Sequence, residues 1–164
     1  MPKQGDLSLL DDPVAKELLE STRLARFAYI WTDGTPRVIP VWFHWDGKDL
    51  VMAGPPDAPK MKALPRNAKV AVTIDSETWP YHALMVRGTA TTKVMDGLPP
   101  EYVAAAHRYM GHEAGDAWVA NVNNMSPKSA RIAIRPEWVA ILDFESRWPS
   151  AIEKRMAGTG AATG

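Results

Sequence analysis

Two Asp-Gly pairs, Asp33-Gly34 and Asp46-Gly47, constrain the fold of this chain more than any other feature. Asp-Gly is a strong short-range signal for a tight β-hairpin, because glycine readily adopts the positive φ that the turn requires. Runs rich in β-branched and aromatic residues flank both pairs, at 25–32, 37–45 and 50–53. The pattern predicts three antiparallel strands joined as a meander.

Further strands are predicted downstream of this meander. Residues 69–75 alternate between polar and apolar side chains, and 81–93 form a longer strand in which Gly88 indicates a bulge. Two closing strands are predicted at 129–135 and 138–144, on either side of a proline. The chain therefore has six or seven strands.

Helices are fewer and are predicted from their end signals. Asp12-Pro13 is typical of a helix start, and a short helix is expected at 59–65. A longer helix is predicted over 100–110, ended by Gly111, with helical sequence continuing over 113–122. No strand–helix–strand alternation occurs, so the expected fold is mainly β (α+β): a small antiparallel barrel with a few flanking helices.

The length and composition indicate one ordinary globular domain. With 164 residues, we expect a single domain over 1–156 and a disordered Gly/Ala/Thr-rich tail over 157–164. Nineteen basic and nineteen acidic residues balance, which argues against a general affinity for nucleic acid or anionic membranes. The N-terminal residues lack an apolar signal segment and no run approaches about 20 apolar residues, so a cytoplasmic protein is expected.

The loop after the third strand is the strongest candidate site. It is rich in glycine and proline and ends in Lys60 and Lys62, two cations two residues apart. Ammonium groups beside free backbone N–H groups are a way to bind phosphate. The alternative is that both are solvated surface lysines, as most lysines are. Spacing alone does not choose between these interpretations.

Other chemistries find little support in the sequence. The chain has no cysteine, which excludes disulfides and thiolate metal sites. Four histidines are present, but none has the i, i+4 spacing with a carboxylate partner of a zinc motif, so no metal is expected. No nucleophile elbow, Walker loop or dinucleotide fingerprint occurs. His82 and Tyr81 remain proton-donor candidates by residue type, and no catalytic residue is assigned.

The order of three segments resembles the pyridoxamine 5′-phosphate oxidase-like family of flavin-binding split β-barrels. The segments are T-D-G-T-P-R-V-I-P-V-W-F-H-W-D-G-K-D-L, A-P-K-M-K-A-L-P-R-N-A-K-V-A-V-T-I-D and M-V-R-G-T-A, followed later by R-P-E-W-V. The resemblance implies a split-barrel homodimer that binds two cofactors at the subunit interface. It also implies FMN or the deazaflavin coenzyme F-420, a small organic substrate, and hydride transfer performed by the cofactor.

The resemblance also implies site residues, position by position. Lys60 matches the phosphate-binding lysine of the family, and Lys62 a second basic residue. The strand with Val38, Ile39, Pro40 and Val41 would have its backbone along the isoalloxazine ring. Ala53 and Gly54, at the end of another strand, would lie near the ring and ribityl chain. His82 and Ala83, in a third strand, would approach the ring system.

The match departs from the family pattern directly before the phosphate lysine. The family often has serine and arginine or another polar residue there, whereas this chain has Ala58 and Pro59. Lys62 or Arg66 would then supply the missing charge. Three hypotheses remain open: an FMN- or F-420-dependent oxidoreductase, a non-catalytic flavin or deazaflavin carrier, and a structural dimer with a vestigial site. Residues 96–128 are expected to shape the substrate pocket.

Overall fold

A computed structural model of the chain describes residues 2–158. Within them, seven strands form one antiparallel sheet in the order β2-β1-β5-β6-β7-β4-β3. The strands are β1 (Ala25–Ile30), β2 (Pro36–Val41), β3 (His44–Trp45), β4 (Leu50–Gly54), β5 (Lys69–Asp75), β6 (His82–Asp96) and β7 (Lys128–Asp143). This arrangement confirms the predicted antiparallel, mainly β class.

Helices flank the sheet and cover its ends. They are a 3-10 turn (Leu7–Asp11), α1 (Pro13–Glu20), α2 (Pro59–Ala63), α3 (Pro100–Met110), α4 (His112–Met125) and α5 (Ser150–Gly158). Asp12 caps α1 as predicted, because its carboxylate accepts a 3.0 Å hydrogen bond from the Val14 N–H. α5 was not predicted. It extends through Gly158, two residues into the segment expected to be disordered, and 159–164 lie outside the described residues.

The sheet curls into a barrel that is split between β2 and β3. These two strands lie at opposite ends of the sheet order, yet only Trp42 and Phe43 separate them in the chain. The three Cα–Cα steps from Val41 to His44 span at most about 11 Å, so the ends of the sheet must come together. The prediction of one strand over 37–45 is therefore wrong: its first part pairs with β1 and its last part with β4.

Side chains on both faces of the sheet explain the break at Trp42 and Phe43. Phe43 turns into the core and is 1% exposed, whereas Trp42 stacks on Tyr109 of α3 with ring centroids 4.9 Å apart. The Phe43 carbonyl accepts a hydrogen bond from the Arg108 guanidinium. A side chain of α3 thus takes the place of a ladder partner.

β6 and β7 form a long continuous ribbon. They pair from His82↔Asp143 to Asp96↔Lys128, with one register shift at Gly88. This confirms the predicted bulge: a Cβ on Gly88 would lie 2.1 Å from the Arg135 carbonyl oxygen. The two predicted closing strands are one strand, because the bulge accommodates the intervening proline.

A single core fills the barrel. Its largest fully buried side chains are Phe27, Phe43, Leu9, Leu18, Leu50, Leu64, Ile74, Leu84, Ile132, Ile134, Ile141 and Val51. They come from α1, the N-terminal 3-10 turn and five of the seven strands, together with Phe43 at the break and Leu64 directly after α2, so the helices close the barrel as well as flank it. None of the helices in the described part of the chain is long and apolar enough to cross a bilayer.

Candidate functional site

Lys60 lies against the end of β4. The short helix α2 begins at Pro59, and its first turn directs the Lys60 side chain back towards the strand it has just left. A Cβ on Gly54 would lie 3.4 Å from the Lys60 Nζ, so the absence of a side chain at Gly54 leaves room for the ammonium group. The structure thus brings together two of the residues predicted from the sequence.

The electrostatics of Lys60 favour an anionic ligand. The side chain is half-buried, and burial lowers the pKa of its ammonium group because the charged form loses hydration. Among residues 2–158, no carboxylate forms an ion pair with it. A desolvated cation without a protein counter-ion is a suitable partner for a phosphate. Lys62 and Arg66 are exposed at the surface nearby in sequence.

Two strand edges separate beside this lysine. β3 pairs with β4 through His44↔Val51, and continuing that register would place Val41 level with Gly54. Instead, β2 has turned away to pair with β1. One edge of β2 therefore has no ladder partner within the described chain, and its Val38 is 64% exposed. The predicted segment Val38, Ile39, Pro40 and Val41 thus leads to the end of β4, where Ala53 and Gly54 lie.

A mainly apolar cavity of about 280 Å³ opens on the other side of Ala53 and Gly54. It lies between β4, α3, α4 and the start of β7. Its lining includes Ala53, Gly54, Pro55, Leu98, Tyr102, Val122, Met125, Ser126, Lys128 and Ser129. Most of these residues belong to the 96–128 segment expected to shape a substrate pocket. The hydroxyl of Tyr102 accepts a 2.9 Å hydrogen bond from the Trp118 indole, which fixes the phenol at the cavity wall.

The other two predicted positions, His82 and Ala83, lie far from Gly54 in the fold. Gly54 is level with Ala130 of β7, which pairs with Val94 of β6. His82 is twelve residues before Val94, about 40 Å of strand at 3.3 Å per residue. Gly54 and His82 therefore lie towards opposite ends of the β6–β7 ribbon, whereas Pro40 of β2 is level, through β1 and β5, with Met85 near the His82 end.

His82 is surrounded by carboxylates. Its Nε2 lies 3.4 Å from Asp143 Oδ1, and its Nδ1 lies 3.8 Å from Glu17 Oε2. Burial opposes ionisation of Asp143, but hydrogen bonds from the Ser146 hydroxyl and the Glu145 N–H outweigh it and lower the pKa of Asp143. This end of the ribbon thus carries negative charge. Tyr81, the other proton-donor candidate, packs edge-on against Trp79 and Phe144.

Sequence reasoning missed the residues that hold the strand break. Besides its bond to Phe43, Arg108 donates a 2.9 Å hydrogen bond from Nε to the Ser21 carbonyl. Tyr109 donates to the Arg23 carbonyl at 2.7 Å, and burial raises the pKa of its phenol. The sequence carries no signal for this, because an arginine and a tyrosine near a helix C-terminus are ordinary.

Comparison with known proteins places this geometry in a family. The family model described as pyridoxamine 5′-phosphate oxidase matches residues 12–143. No curated protein matches the chain significantly.

Solved structures give the same fold. An F420 reductase is 26% identical and has a TM-score of 0.59, with 77% of this chain and 94% of that chain covered. The conserved hypothetical protein Rv2991 from Mycobacterium tuberculosis is 18% identical, with a TM-score of 0.66 and coverages of 88% and 89%. The heme storage protein HutZ from Vibrio cholerae is 15% identical, with a TM-score of 0.61 and coverages of 80% and 93%. Since the family model spans most of the chain, the protein belongs to the pyridoxamine 5′-phosphate oxidase family.

Proposed function

We propose that this chain is an FMN- or F-420-dependent oxidoreductase that exchanges a hydride between the bound cofactor and a small organic substrate. The observation that carries the proposal is Lys60: a half-buried ammonium with no ion-pair partner in the described chain, beside Gly54 at the split of the barrel. Its surroundings suit the phosphate that both cofactors carry. The F420 reductase among the similar structures supports a cofactor of this class.

The chain's own residues would bind and orient the cofactor. Lys60 would hold the phosphate through a charge-assisted hydrogen bond. The open edge of β2 would lie along the ring, with the Val38 N–H as donor, since Pro36 and Pro40 have no N–H and the N–H groups of Ile39 and Val41 face β1. When bound, the cofactor supplies the hydride chemistry. The arrangement needs no acidic or basic side chain at the ring, in agreement with the lack of a recognisable catalytic motif.

The substrate would occupy the apolar cavity beside Ala53 and Gly54. Its volume of about 280 Å³ suits a small, largely uncharged organic molecule. Tyr102 is the fixed hydroxyl in its wall, and Ser126 and Lys128 lie at its β7 end. A charged substrate would have to give up hydration to enter such a cavity, which disfavours it.

We further propose that the active unit is a homodimer. The unpaired edge of β2 exposes Val38, and an open strand edge with exposed apolar side chains is readily covered by another chain. A second copy would close the split over the cofactor and exclude water from it. Sedimentation velocity measures the mass directly. A species with the mass of one chain at micromolar concentration would contradict the dimer.

A non-catalytic carrier is the second candidate, and one observation favours it. Ala58 precedes α2 without a side-chain cap hydrogen bond, and neither it nor Pro59 offers a phosphate ligand. A site with fewer ligands would bind and release its cofactor readily without turnover.

Cofactor titration tests the shared part of both candidates. Purified protein is titrated separately with FMN and with F-420 while cofactor fluorescence is followed. Lys60→Ala should weaken binding about 10- to 150-fold, because a hydrogen bond to a charged group is worth about 1.5–3 kcal/mol. Lys62→Ala is the matched control and should change affinity much less, since Lys62 is exposed. Equal affinity in wild type and Lys60→Ala would place the phosphate elsewhere.

Turnover then separates enzyme from carrier. The reduced cofactor is mixed with the protein and a panel of small organic acceptors, and its reoxidation is followed anaerobically. Acceleration over the protein-free reaction supports the oxidoreductase. Tight binding without acceleration for any acceptor would support the carrier.

A further inference from the structure

A second cluster of polar groups lies at the other end of the β6–β7 ribbon, away from Lys60. His82, Asp143 and Glu145 each direct one ligand atom, an imidazole nitrogen or a carboxylate oxygen, into a common space. These three atoms all lie within 4.8 Å of one another. The side chains of His82 and Asp143 are 20% and 11% exposed, whereas Glu145 is at the surface. Two of the three potential ligands are thus largely buried, and the third is exposed.

The imidazole in this recess lacks a hydrogen bond. His82 Nε2 is buried, and no hydrogen-bond partner for it is present in the described chain. It nevertheless lies 3.4 Å from Asp143 Oδ1. A buried polar nitrogen without a partner costs about 1–3 kcal/mol. An additional ligand between the nitrogen and the carboxylates would remove that cost.

The spacing of the atoms fits a metal ion. Two ligands that are 2.0–2.1 Å from a tetrahedral zinc ion are about 3.4 Å from each other. His82 Nε2 and Asp143 Oδ1 are separated by that distance. Glu145 reaches the same ion after a side-chain rotation, because it is exposed. We propose that His82, Asp143 and Glu145 bind a divalent transition-metal ion of the Zn²⁺ class, with water as the fourth ligand.

The surroundings of the histidine support this assignment. A metal-bound histidine commonly donates its other N–H to a carboxylate, which fixes the ring. Glu17 of α1 lies 3.8 Å from His82 Nδ1, an ion-pair distance, and a small side-chain shift would bring its carboxylate into that position. Asp143 is held in place by the chain that follows it, since Asp143 and Arg147 exchange two backbone hydrogen bonds of 3.0 and 2.6 Å. The Asp143 carboxylate is oriented before the ion binds, because it also accepts hydrogen bonds from the Glu145 N–H and the Ser146 hydroxyl.

The ion would act as a structural clamp. Its ligands join the start of β6 to the end of β7 and the turn after it, and Glu17 adds α1 through the histidine. This role does not depend on the cofactor proposed above, so either proposal can fail without the other. It also gives His82 a role different from the cofactor contact implied by family resemblance.

Zinc titration tests the proposal. Protein freed of metal with EDTA, and then of EDTA, is titrated with ZnCl₂ in an isothermal calorimeter. We expect one ion per chain, with affinity at least tenfold weaker in His82→Ala and in Glu145→Gln. Glu145→Gln is the decisive variant, because an exposed carboxylate is not needed for folding. Glu77→Gln, an exposed glutamate nearby in sequence, is the matched control and should leave the affinity unchanged.

A second histidine cluster requires its own control. The rings of His107 and His112 are 4.4 Å apart, and His107 Nε2 lies 2.7 Å from Asp116. His107→Ala should retain the zinc site. If His107→Ala abolishes binding while His82→Ala and Glu145→Gln retain it, or if wild type binds no zinc at 1 mM, the proposal is overturned. Thermal unfolding gives a second readout: zinc should raise the Tm of wild type but not that of Glu145→Gln.

Discussion

Within the same sheet, the β6–β7 ribbon is paired continuously, whereas the strand β2–β3 is interrupted. β6 and β7 are 15 and 16 residues long and remain paired throughout, with one bulge. β2 and β3 have only six and two residues, and each pairs with a different strand. The ribbon is paired along its whole length and forms the scaffold, whereas the break leaves one edge of β2 without a ladder partner in the described chain.

The difference explains where a ligand can bind. Along a continuous ladder, the N–H and C=O groups that face the partner strand are already hydrogen-bonded and cannot bind a ligand. At the break, one edge of β2 is open and Lys60 has no ion-pair partner, as far as residues 2–158 are concerned. Arg108 and Tyr109 hold the break open from α3. The proposed site therefore lies where regular pairing stops, and the ribbon forms the scaffold beside it.

The largest effect is expected in the ribbon, from Gly88→Ala. The added Cβ would lie 2.1 Å from the Arg135 carbonyl oxygen, and a paired backbone cannot move aside easily. We expect a loss of about 3 kcal/mol or more in the free energy of unfolding, at or above the upper end for overpacking. Urea unfolding measures it. Lys93→Ala, exposed in the same strand, should cost less than about 0.5 kcal/mol. Similar values for both would show that the bulge tolerates a side chain.

A smaller effect is expected at the break, from Arg108→Gln. The substitution removes charged hydrogen bonds to the Phe43 and Ser21 carbonyls, worth about 1.5–3 kcal/mol. The loss should be local: amide exchange should accelerate at 42–45 more than in β6 or β7. Arg66→Gln, at an exposed arginine, serves as control. Uniform acceleration across the sheet would mean that the break and the ribbon are one cooperative unit.

Tyr109→Phe should affect the break less. It keeps the ring that stacks on Trp42 but loses the hydrogen bond to the Arg23 carbonyl. One neutral hydrogen bond is worth about 0.5–1.5 kcal/mol. Thermal unfolding measures the change in Tm of Tyr109→Phe, and Tyr102→Phe is measured alongside as a second variant that loses one tyrosine hydroxyl. No change in the Tm of Tyr109→Phe would show that Tyr109 stabilises the break through ring stacking alone and not through its hydrogen bond.

The smallest effect near neutral pH concerns the charge of Lys60. Burial lowers the pKa of its ammonium, so the proton is lost at a lower pH than in an exposed lysine. A bound anion favours the charged form, and affinity for FMN should therefore fall as the pH rises through the lowered pKa. Lys60→Arg keeps its charge at every accessible pH, and its affinity should remain level. Parallel pH profiles for the two proteins would exclude Lys60 as the phosphate ligand.

Local patterns predicted much of the fold. The turns at Asp33-Gly34 and Asp46-Gly47 are confirmed, with φ of +87° at Gly34 and +92° at Gly47. The strand Lys69–Asp75 and the helix Pro100–Met110 have their predicted bounds. These signals are local, because alternation, caps and turns depend on residues close in sequence.

The break at Trp42-Phe43 could not be predicted in this way. Apart from Pro40, residues 37–45 have strand propensity throughout, and the pairing ends at Trp42-Phe43, where α3 packs against the chain. The same holds for His82, whose neighbours Glu17 and Asp143 are remote in sequence. A search for short metal motifs therefore found nothing.

Residues close in sequence were enough to predict the antiparallel strands, their turns, the bulge at Gly88 and the lysine that follows β4. The packing of distant segments divides the second strand, brings Lys60 to Gly54 with no counter-ion among the described residues, and places His82 between carboxylates. The physical reason is the range of the interactions. Backbone conformation is set by near neighbours, whereas burial and charge compensation depend on which distant segments pack together.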